Sequence, residues 1–150
     1  MQLFSPLSIR DLQLRNRVAV SPMCQYSSTD GFANEWHFVH LTTRAVGGAG
    51  LVFTEAAAVE PAGRISPADL GIWKEEHIEP LARIVRFIDQ HGSAAGIQLA
   101  HAGRKASTSP PWDGGGPVDE SQGGWHPVYA PSPIAFDEDS KVPEQLDEAG

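Results

Sequence analysis

Short polar segments at the ends of apolar stretches carry the side chains of this chain that could do chemistry. Cys24 and Tyr26 follow the stretch 18–23, and Gln98 lies within the stretch 94–100. A side-chain amide in an apolar strand is costly unless it is paired, and a planar heterocycle with adjacent carbonyl and ring N–H groups would pair with it well. Both Cys24 and Gln98 could also have a purely structural role. A lone cysteine is most often a buried small hydrophobe, and the side chain of a buried glutamine usually hydrogen-bonds to the backbone.

Two groups of basic side chains are further candidates. His37 and His40 lie three residues apart, a spacing that can bind a metal ion, but no third ligand is nearby and their helix has an apolar face. Packing and helix capping are therefore the favoured roles of these histidines. His101, Arg104 and Lys105 follow the Gln98 stretch, where they could hold an anion or simply solvate a loop, and the sequence leaves both uses open.

Three strands are predicted to position these residues. Apolar runs predict strands at 18–23, which Pro22 ends, at 51–59 and at 94–100. Strands that are apolar on both faces suit a parallel sheet covered by helices. The carboxyl ends of such strands meet at one edge, so we expect the candidate residues to converge there.

Two helices are predicted between the strands. Apolar side chains at three- and four-residue spacing predict a helix that begins at Glu35, behind the capping residue Asn34, and that two glycines end at 47–48. A second such pattern covers 75–91 and includes Pro80 in its first turn. The alternation of strand and helix predicts right-handed βαβ units and an α/β fold.

This alternation fits an open doubly wound sheet or a (β/α)8 barrel. The turn after the first strand, 22–26, contains no glycine, and the glycine cluster at 47–50 precedes a strand instead of opening a helix. The barrel is therefore favoured. A barrel needs eight strands and about 250 residues, and only three strands are predicted here. Residues 144–150 resemble the beginning of another helix.

Charge and composition divide the chain. Residues 1–105 carry ten basic and ten acidic side chains, whereas 106–150 carry only Lys141 against nine acids, together with seven of the twelve prolines. Such a segment is either a disordered tail or a long functional loop held by the rest of the protein. Its aromatic residues, Trp112, Trp125 and Tyr129, favour an ordered lid or interface.

Several classes of protein are disfavoured by composition. No apolar run approaches the roughly 18 residues of a membrane span, and the N-terminus lacks the features of a secretory signal. The single cysteine, Cys24, excludes an intramolecular disulfide framework and a multi-cysteine zinc site within the chain. A net charge of −8 argues against nucleic acids and anionic membranes as partners. We therefore expect a cytoplasmic protein without a metal site.

Six motifs taken in order resemble one known family. They are RNRVAVSPMCQYS, HFVHL, RAVGGAGLV, TEAAAVEPAGRI, LGIW and GIQLAHAGRKA. Together they resemble the N-terminal part of the Old Yellow Enzyme family, and SPMCQY with GIQLAHAGRKA is similar to its thermophilic-like branch of bacterial NADPH dehydrogenases and xenobiotic reductases. The resemblance implies that 1–150 is the N-terminal portion of a single FMN-binding (β/α)8 barrel domain. Within it, 103–143 matches a long excursion after the third strand that partly covers the site.

The resemblance also implies individual roles. Cys24 matches a cysteine that modulates the flavin, Gln98 an amide that pairs with its pyrimidine edge, Ala56 a residue whose backbone meets it, and Tyr26 a tyrosine that contacts the substrate. The residues that it places against FMN are Ser21, Pro22, Met23, Cys24, Ala56 and Gln98.

The implied activity is a two-step hydride transfer. NADPH or NADH reduces FMN, which then reduces a small-molecule alkene conjugated to a carbonyl or nitro group, in an enzyme expected to be a homo-oligomer. The family's substrate-binding histidine pair, flavin arginine and phosphate loops belong to later strands. We therefore expect the 150-residue chain to be part of a longer enzyme and to be inactive alone.

Two alternatives remain open. The chain could be a non-catalytic remnant or a half-barrel that assembles with another chain. It could also resemble the dienoyl-CoA reductases, which usually carry an iron–sulfur cluster on cysteines. None of those cysteines is here, although they would lie further along, and the branch-specific motif SPMCQY weighs more heavily.

Overall fold

A parallel sheet with a helix after each of its first two strands forms the centre of the protein, in a computed structural model that describes residues 2–148. The elements, in chain order, are β1 (Leu7–Ile9), β2 (Leu12–Leu14), β3 (Ala19–Val20), α1 (Glu35–Val46), β4 (Leu51–Ala58), α2 (Ile78–Gln90), β5 (Ala94–Ala100), β6 (Tyr129–Ala130) and β7 (Glu144–Gln145). The predicted α/β alternation is confirmed, and the hairpin of β1 and β2 precedes it.

The sheet has the order β3–β4–β5, and both pairs are parallel. The first strand is shorter than the predicted 18–23, because the ladder ends at Val20, opposite Val52, before Pro22, which has no N–H to donate. An irregularity in β4 separates two stretches of regular pairing with β5. Beyond it Ala56 lies opposite Gln98, so two predicted site residues occupy neighbouring positions in the sheet.

Both helices begin where the sequence predicts. Asn34 caps α1: its Oδ1 accepts from the N–H groups of Trp36 and His37, at 3.0 and 3.4 Å, while its own N–H donates to His37 Nδ1 at 3.1 Å. A 3-10 turn at Glu75–His77 leads into α2, which has Pro80 in its first turn. At that position the missing proline N–H leaves no helical hydrogen bond unmade.

The core lies between the helices and the sheet. Its main cluster is formed by Leu41, Ala45, Ala49, Val52, Ile84 and Ile88. Each large aliphatic side chain buried here stabilises the fold by roughly 1.5–3 kcal/mol. Beyond the cluster β5 lacks a neighbour on its outer side among the described residues, and Leu99 there is 63% exposed. The chain therefore forms three adjacent strands of a barrel and no closed barrel over the described residues.

Residues 103–143, called the excursion below, are ordered and packed against the sheet–helix body of residues 18–100. Val128 and Ser107 are fully buried, and β6 pairs with β7 in parallel. That this segment partly covers the site stays a prediction. The predicted helix at 144–150 is wrong within the described residues, because Glu144 N–H bonds to Val128 O and the segment joins a sheet; 149–150 lie outside the described residues.

Among the described residues, every helix is too short or too polar to cross a membrane.

Candidate functional site

The carboxyl ends of the three parallel strands bring the predicted site residues together. Ser21, Pro22 and Met23 follow β3 directly, and Ser21 and Met23 are exposed there. Cys24 lies close enough to β4 for the Ala56 backbone to influence its thiol, and Ala56 lies opposite Gln98. Residues separated by more than 70 positions in sequence thus meet at one edge of the sheet, as barrel topology requires.

The Gln98 side chain is exposed on this face and makes no hydrogen bond to another described residue. Its amide therefore offers both a donor and an acceptor to a ligand. Over the described residues the backbone does not satisfy this amide, and the pairing of Gln98 with a ligand stays a prediction.

A cavity of about 350 Å³ lies beside these strand ends. Small side chains dominate its wall, and a Cβ at Gly63 would lie 2.7 Å from His101 Cδ2, so a larger residue there would displace that ring. Its lining residues are Tyr26, Ala56, Ala58, Gly63, Ile65, Asp69, Ala100, His101, Ala102 and Lys105. Of the predicted residues, Tyr26 and Ala56 line the cavity itself, whereas Gln98 lies next to it on β5.

The Cys24 thiol and the Tyr26 hydroxyl at this edge both have raised pKa values. Burial raises the pKa of the Cys24 thiol, and the nearby Glu55 and Asp69 carboxylates add to the effect, against opposing contributions from the Ala56 backbone and the Tyr26 hydroxyl. Burial, with the charge of a Cys24 thiolate next, raises the pKa of Tyr26 to about 12. Both groups are therefore protonated at neutral pH and can act as hydrogen-bond donors.

Asp69 closes one side of the cavity and is 2% exposed. Its carboxylate accepts from Ile65 N at 2.7 Å, from Ser66 N at 3.1 Å and from Ser66 Oγ at 2.8 Å. Burial raises its pKa, and the Ser66 hydrogen bond opposes that shift. With these donors in place, Asp69 organises the loop after β4.

Sequence reasoning missed a buried carboxylate directly behind the site. Glu55 is 4% exposed, and its Oε2 accepts from Gln25 N at 2.7 Å while its Oε1 lies 3.0 Å from His37 Nε2. An acidic residue inside an otherwise apolar strand was the available signal, because such a group is almost never buried without partners. His37 also fulfils the predicted capping role.

The basic residues after β5 have partners within the chain. His101 Nε2 lies 2.7 Å from Glu60 Oε1, and its Nδ1 accepts from Gly103 N at 3.0 Å. Arg104 and Lys105 lie over the ring of Phe136, at 5.6 and 4.1 Å from its centroid. His101 therefore joins the start of the excursion to the segment after β5, while Arg104 and Lys105 make contacts within the excursion.

The aromatic residues of the excursion contact the site from outside. The ring of Trp112 meets that of Tyr26 edge-on, with centroids 5.3 Å apart. Trp125 donates from Nε1 to Ala62 O at 3.1 Å and stacks on the Arg64 guanidinium at 4.7 Å. The excursion thus forms an outer wall near Tyr26.

The polar groups at this strand edge fit a flavin. An unpaired amide beside small alanines suits the edge and the flat face of a planar ring with alternating donors and acceptors. Over the described residues there is no cluster of three potential metal ligands, and His40 stacks on Trp36.

Comparison with known proteins agrees with this geometry. Residues 2–142 match the model of the NADH:flavin oxidoreductase / NADH oxidase family. The chain is 46% identical over 147 residues to the NADPH dehydrogenase of Bacillus subtilis (strain 168), covering 97% of this chain and 39% of that protein. It is 49% identical over 146 residues to the NADPH dehydrogenase of Bacillus cytotoxicus, covering 95% and 37%.

The fold is also that of a solved flavoenzyme. The structure of the old yellow enzyme from Trypanosoma cruzi superposes with a TM-score of 0.77 at 25% identity, over 99% of this chain and 43% of that one. The chain thus spans about two fifths of the length of the relatives it matches, and the predicted cofactors, FMN with NADPH or NADH, agree with the family's description. The sequence match over nearly all the described residues and the shared fold lead to one conclusion: this chain belongs to the NADH:flavin oxidoreductase / NADH oxidase family, of the Old Yellow Enzyme type.

Proposed function

We propose that the protein acts in an FMN-dependent NAD(P)H oxidoreductase that reduces alkenes conjugated to a carbonyl or nitro group. The observation that carries the proposal is the unpaired Gln98 amide opposite Ala56, at the strand edge where Cys24 also lies. When bound, FMN supplies the hydride chemistry, and the protein supplies position and electrostatics.

Each residue of the strand edge has a part in this proposal. Gln98 donates to and accepts from the pyrimidine edge of the ring, while Ser21, Pro22 and Met23 border the ring after β3. Cys24 presents a neutral thiol, which modulates the flavin and forms no covalent intermediate. Tyr26 keeps its proton, because its pKa is raised to about 12, and its hydroxyl therefore can donate to an oxygen of the substrate.

The proposal extends to the setting of the enzyme. The relatives named NADPH dehydrogenase support a nicotinamide as hydride source. We further propose that the substrate is a small-molecule alkene, that the enzyme is a homo-oligomer and that it is located in the cytoplasm. Because three strands cannot close a barrel, residues 1–150 alone should not turn over NADPH. A yellow preparation of this chain that oxidises NADPH would contradict that part of the proposal, whereas a flavin-free full-length gene product would favour a non-catalytic remnant.

The test is the substitution Gln98→Leu in the full-length gene product, with Gln13→Leu as a matched control on β2. Leucine leaves the polar edge of the ring unpaired, which costs on the order of 1–3 kcal/mol, so FMN should bind roughly tenfold more weakly. The dissociation constant is measured by titrating flavin-free protein with FMN and following flavin fluorescence. An FMN affinity equal to that of the control variant would remove Gln98 from the flavin site.

A further inference from the structure

The carboxylate of Glu55 joins three elements beneath the site. It belongs to β4, its Oε2 accepts from the backbone N–H of Gln25 in the turn after β3, and its Oε1 faces His37 of α1. At 4% exposure it is shielded from water, so these contacts are not weakened by solvent. Gln25 is the residue between Cys24 and Tyr26, so the carboxylate holds the centre of the predicted flavin- and substrate-facing turn.

His37 is itself fixed from the other side. Its Nδ1 lies 3.1 Å from Asn34 N and 2.9 Å from Asn34 Oδ1, so the residue that caps α1 holds this side of the ring. On the other side, Nε2 lies 3.0 Å from Glu55 Oε1 and 3.3 Å from Ser28 Oγ. Oε1 has no well-aligned hydrogen bond within the described structure, so its contact with the ring is chiefly electrostatic. The cap of α1 thereby orients the ring, and the ring attracts the carboxylate.

We infer that Glu55 is a positioning residue, whose buried carboxylate fixes the Cys24–Tyr26 turn through Gln25 N–H and thereby controls the reactivity of the Cys24 thiol. The inference rests on contacts within the chain and holds whether or not a flavin binds. It therefore can fail separately from the proposed function.

The charged and titratable groups that face the Cys24 thiol are Glu55, Asp69 and Tyr26. The two carboxylates favour the neutral thiol, whereas the Tyr26 hydroxyl favours the thiolate. Removing the Glu55 charge while keeping an oxygen at Oε2 should lower the thiol pKa and leave the turn in place. Removing the whole carboxylate should release the turn as well. Comparing the two variants therefore separates the effect of the position of the turn from the effect of the Glu55 charge on the thiol.

The experiment measures the rate of iodoacetamide alkylation against pH in the full-length gene product after removal of any flavin. Trypsin cleavage at Arg17 and Arg44 gives a peptide, 18–44, whose only cysteine is Cys24, so its modification is quantified by mass spectrometry. The variants are Glu55→Ala and Glu55→Gln. Glu79→Gln, an exposed carboxylate on α2 paired with Arg86, is the control.

Glu55→Ala should raise the alkylation rate at the high-pH plateau by about tenfold, since a lost hydrogen bond to a charged group is worth at least a factor of that order. Glu55→Gln should keep the plateau rate within about twofold of the wild type, because the amide oxygen still accepts from Gln25 N–H. It should move the midpoint of the curve of alkylation rate against pH to lower pH. The control should change neither quantity.

Two results would overturn the inference. One is an unchanged plateau in Glu55→Ala, which means that other contacts hold the turn. The other is an unchanged midpoint in Glu55→Gln, which means that the carboxylate does not act on the thiol. If Glu55→Ala fails to fold, the midpoint of the isosteric Glu55→Gln variant decides alone.

Discussion

The body and the excursion of this protein depend to different degrees on apolar burial and on hydrogen bonds from a charged side chain. In the body, apolar side chains such as Leu41, Val52 and Ile84 are buried between sheet and helices. The excursion buries fewer and smaller apolar side chains, such as Val118 and Val128, and adds one ammonium group that joins distant parts of it: Lys141 Nζ donates to Ser107 Oγ at 2.8 Å, to Val118 O at 2.7 Å and to Trp125 O at 3.0 Å. Apolar burial is non-directional, whereas these bonds depend on one side chain, so the two regions should respond differently to substitution.

The division follows from composition. Residues 106–150 contain nine acidic side chains and one lysine, Lys141. Because the segment is also poor in apolar side chains, it cannot fold by burial alone. Its attachments to the body include the ring of Trp125, whose centroid lies 4.7 Å from the guanidinium of Arg64, and Arg64 also lies 5.5 Å from the ring centroid of Trp73 in the body. The excursion is thus an ordered layer that depends on the body, and the candidate site lies where the two meet.

The largest effect is expected from the core of the body. Ile84 is 2% exposed, so Ile84→Ala should lower the free energy of unfolding by about 3 kcal/mol through lost burial and a residual cavity. Val85→Ala, next in sequence and 47% exposed, should cost less than about 1 kcal/mol. Urea unfolding followed by circular dichroism measures both. Equal losses in the two variants would mean that the body is not held by this core.

Much of the body was predictable because its signals are local. The cap at Asn34 and the continuous apolar strand before Gln98 depend on residues close in sequence, and the structure confirms the elements that they predict. The convergence of Cys24, Ala56 and Gln98 followed from the rule that parallel strands end at one edge. The pairing of Glu55 with Gln25 and His37 was not predictable from spacing, because it joins residues 30 and 18 positions apart on different elements.

The excursion was predictable only in outline. Its composition indicated a loop and its tryptophans indicated order, but its strand β6 and the partner strand β7 that follows it are each two residues long and give no periodicity. The acidic segment at 144–150 has a helical composition, yet among its described residues backbone bonds from Glu144 N to Val128 O and from Leu146 N to Ala130 O place Glu144–Gln145 in a sheet. Long-range pairing overrode local propensity there, as it commonly does in short segments.

A smaller and local effect is expected from Lys141→Met, which keeps the side-chain length and removes the ammonium. Bonds to a charged donor are worth about 1.5–3 kcal/mol each but are not additive, so local opening of the excursion should become easier by about 2 kcal/mol. Hydrogen exchange across 107–128, followed by mass spectrometry, should then accelerate roughly 30-fold while exchange in α2 stays unchanged.

Lys105→Met is the matched control for Lys141. It removes one contact with Phe136, worth about 0.5–1 kcal/mol at an exposed site, so exchange across 107–128 should change much less. If Lys141→Met instead destabilised body and excursion equally, the two regions would form one cooperative unit and the contrast between them would fail.

The smallest effect is expected where the excursion meets the site. Trp112 is 66% exposed, and its edge-on contact with Tyr26 is worth about 0.5 kcal/mol in such a solvated position. Trp112→Ala should therefore accelerate exchange across 107–118 only about twofold, and FMN affinity in the full-length gene product should stay that of the wild type, since the proposed flavin contacts all belong to the body. Phe4→Ala, which removes a similarly exposed aromatic ring from the N-terminal 3-10 turn, is the control. A drop in FMN affinity comparable to that of Gln98→Leu would show that the excursion is part of the flavin site and not only its outer wall.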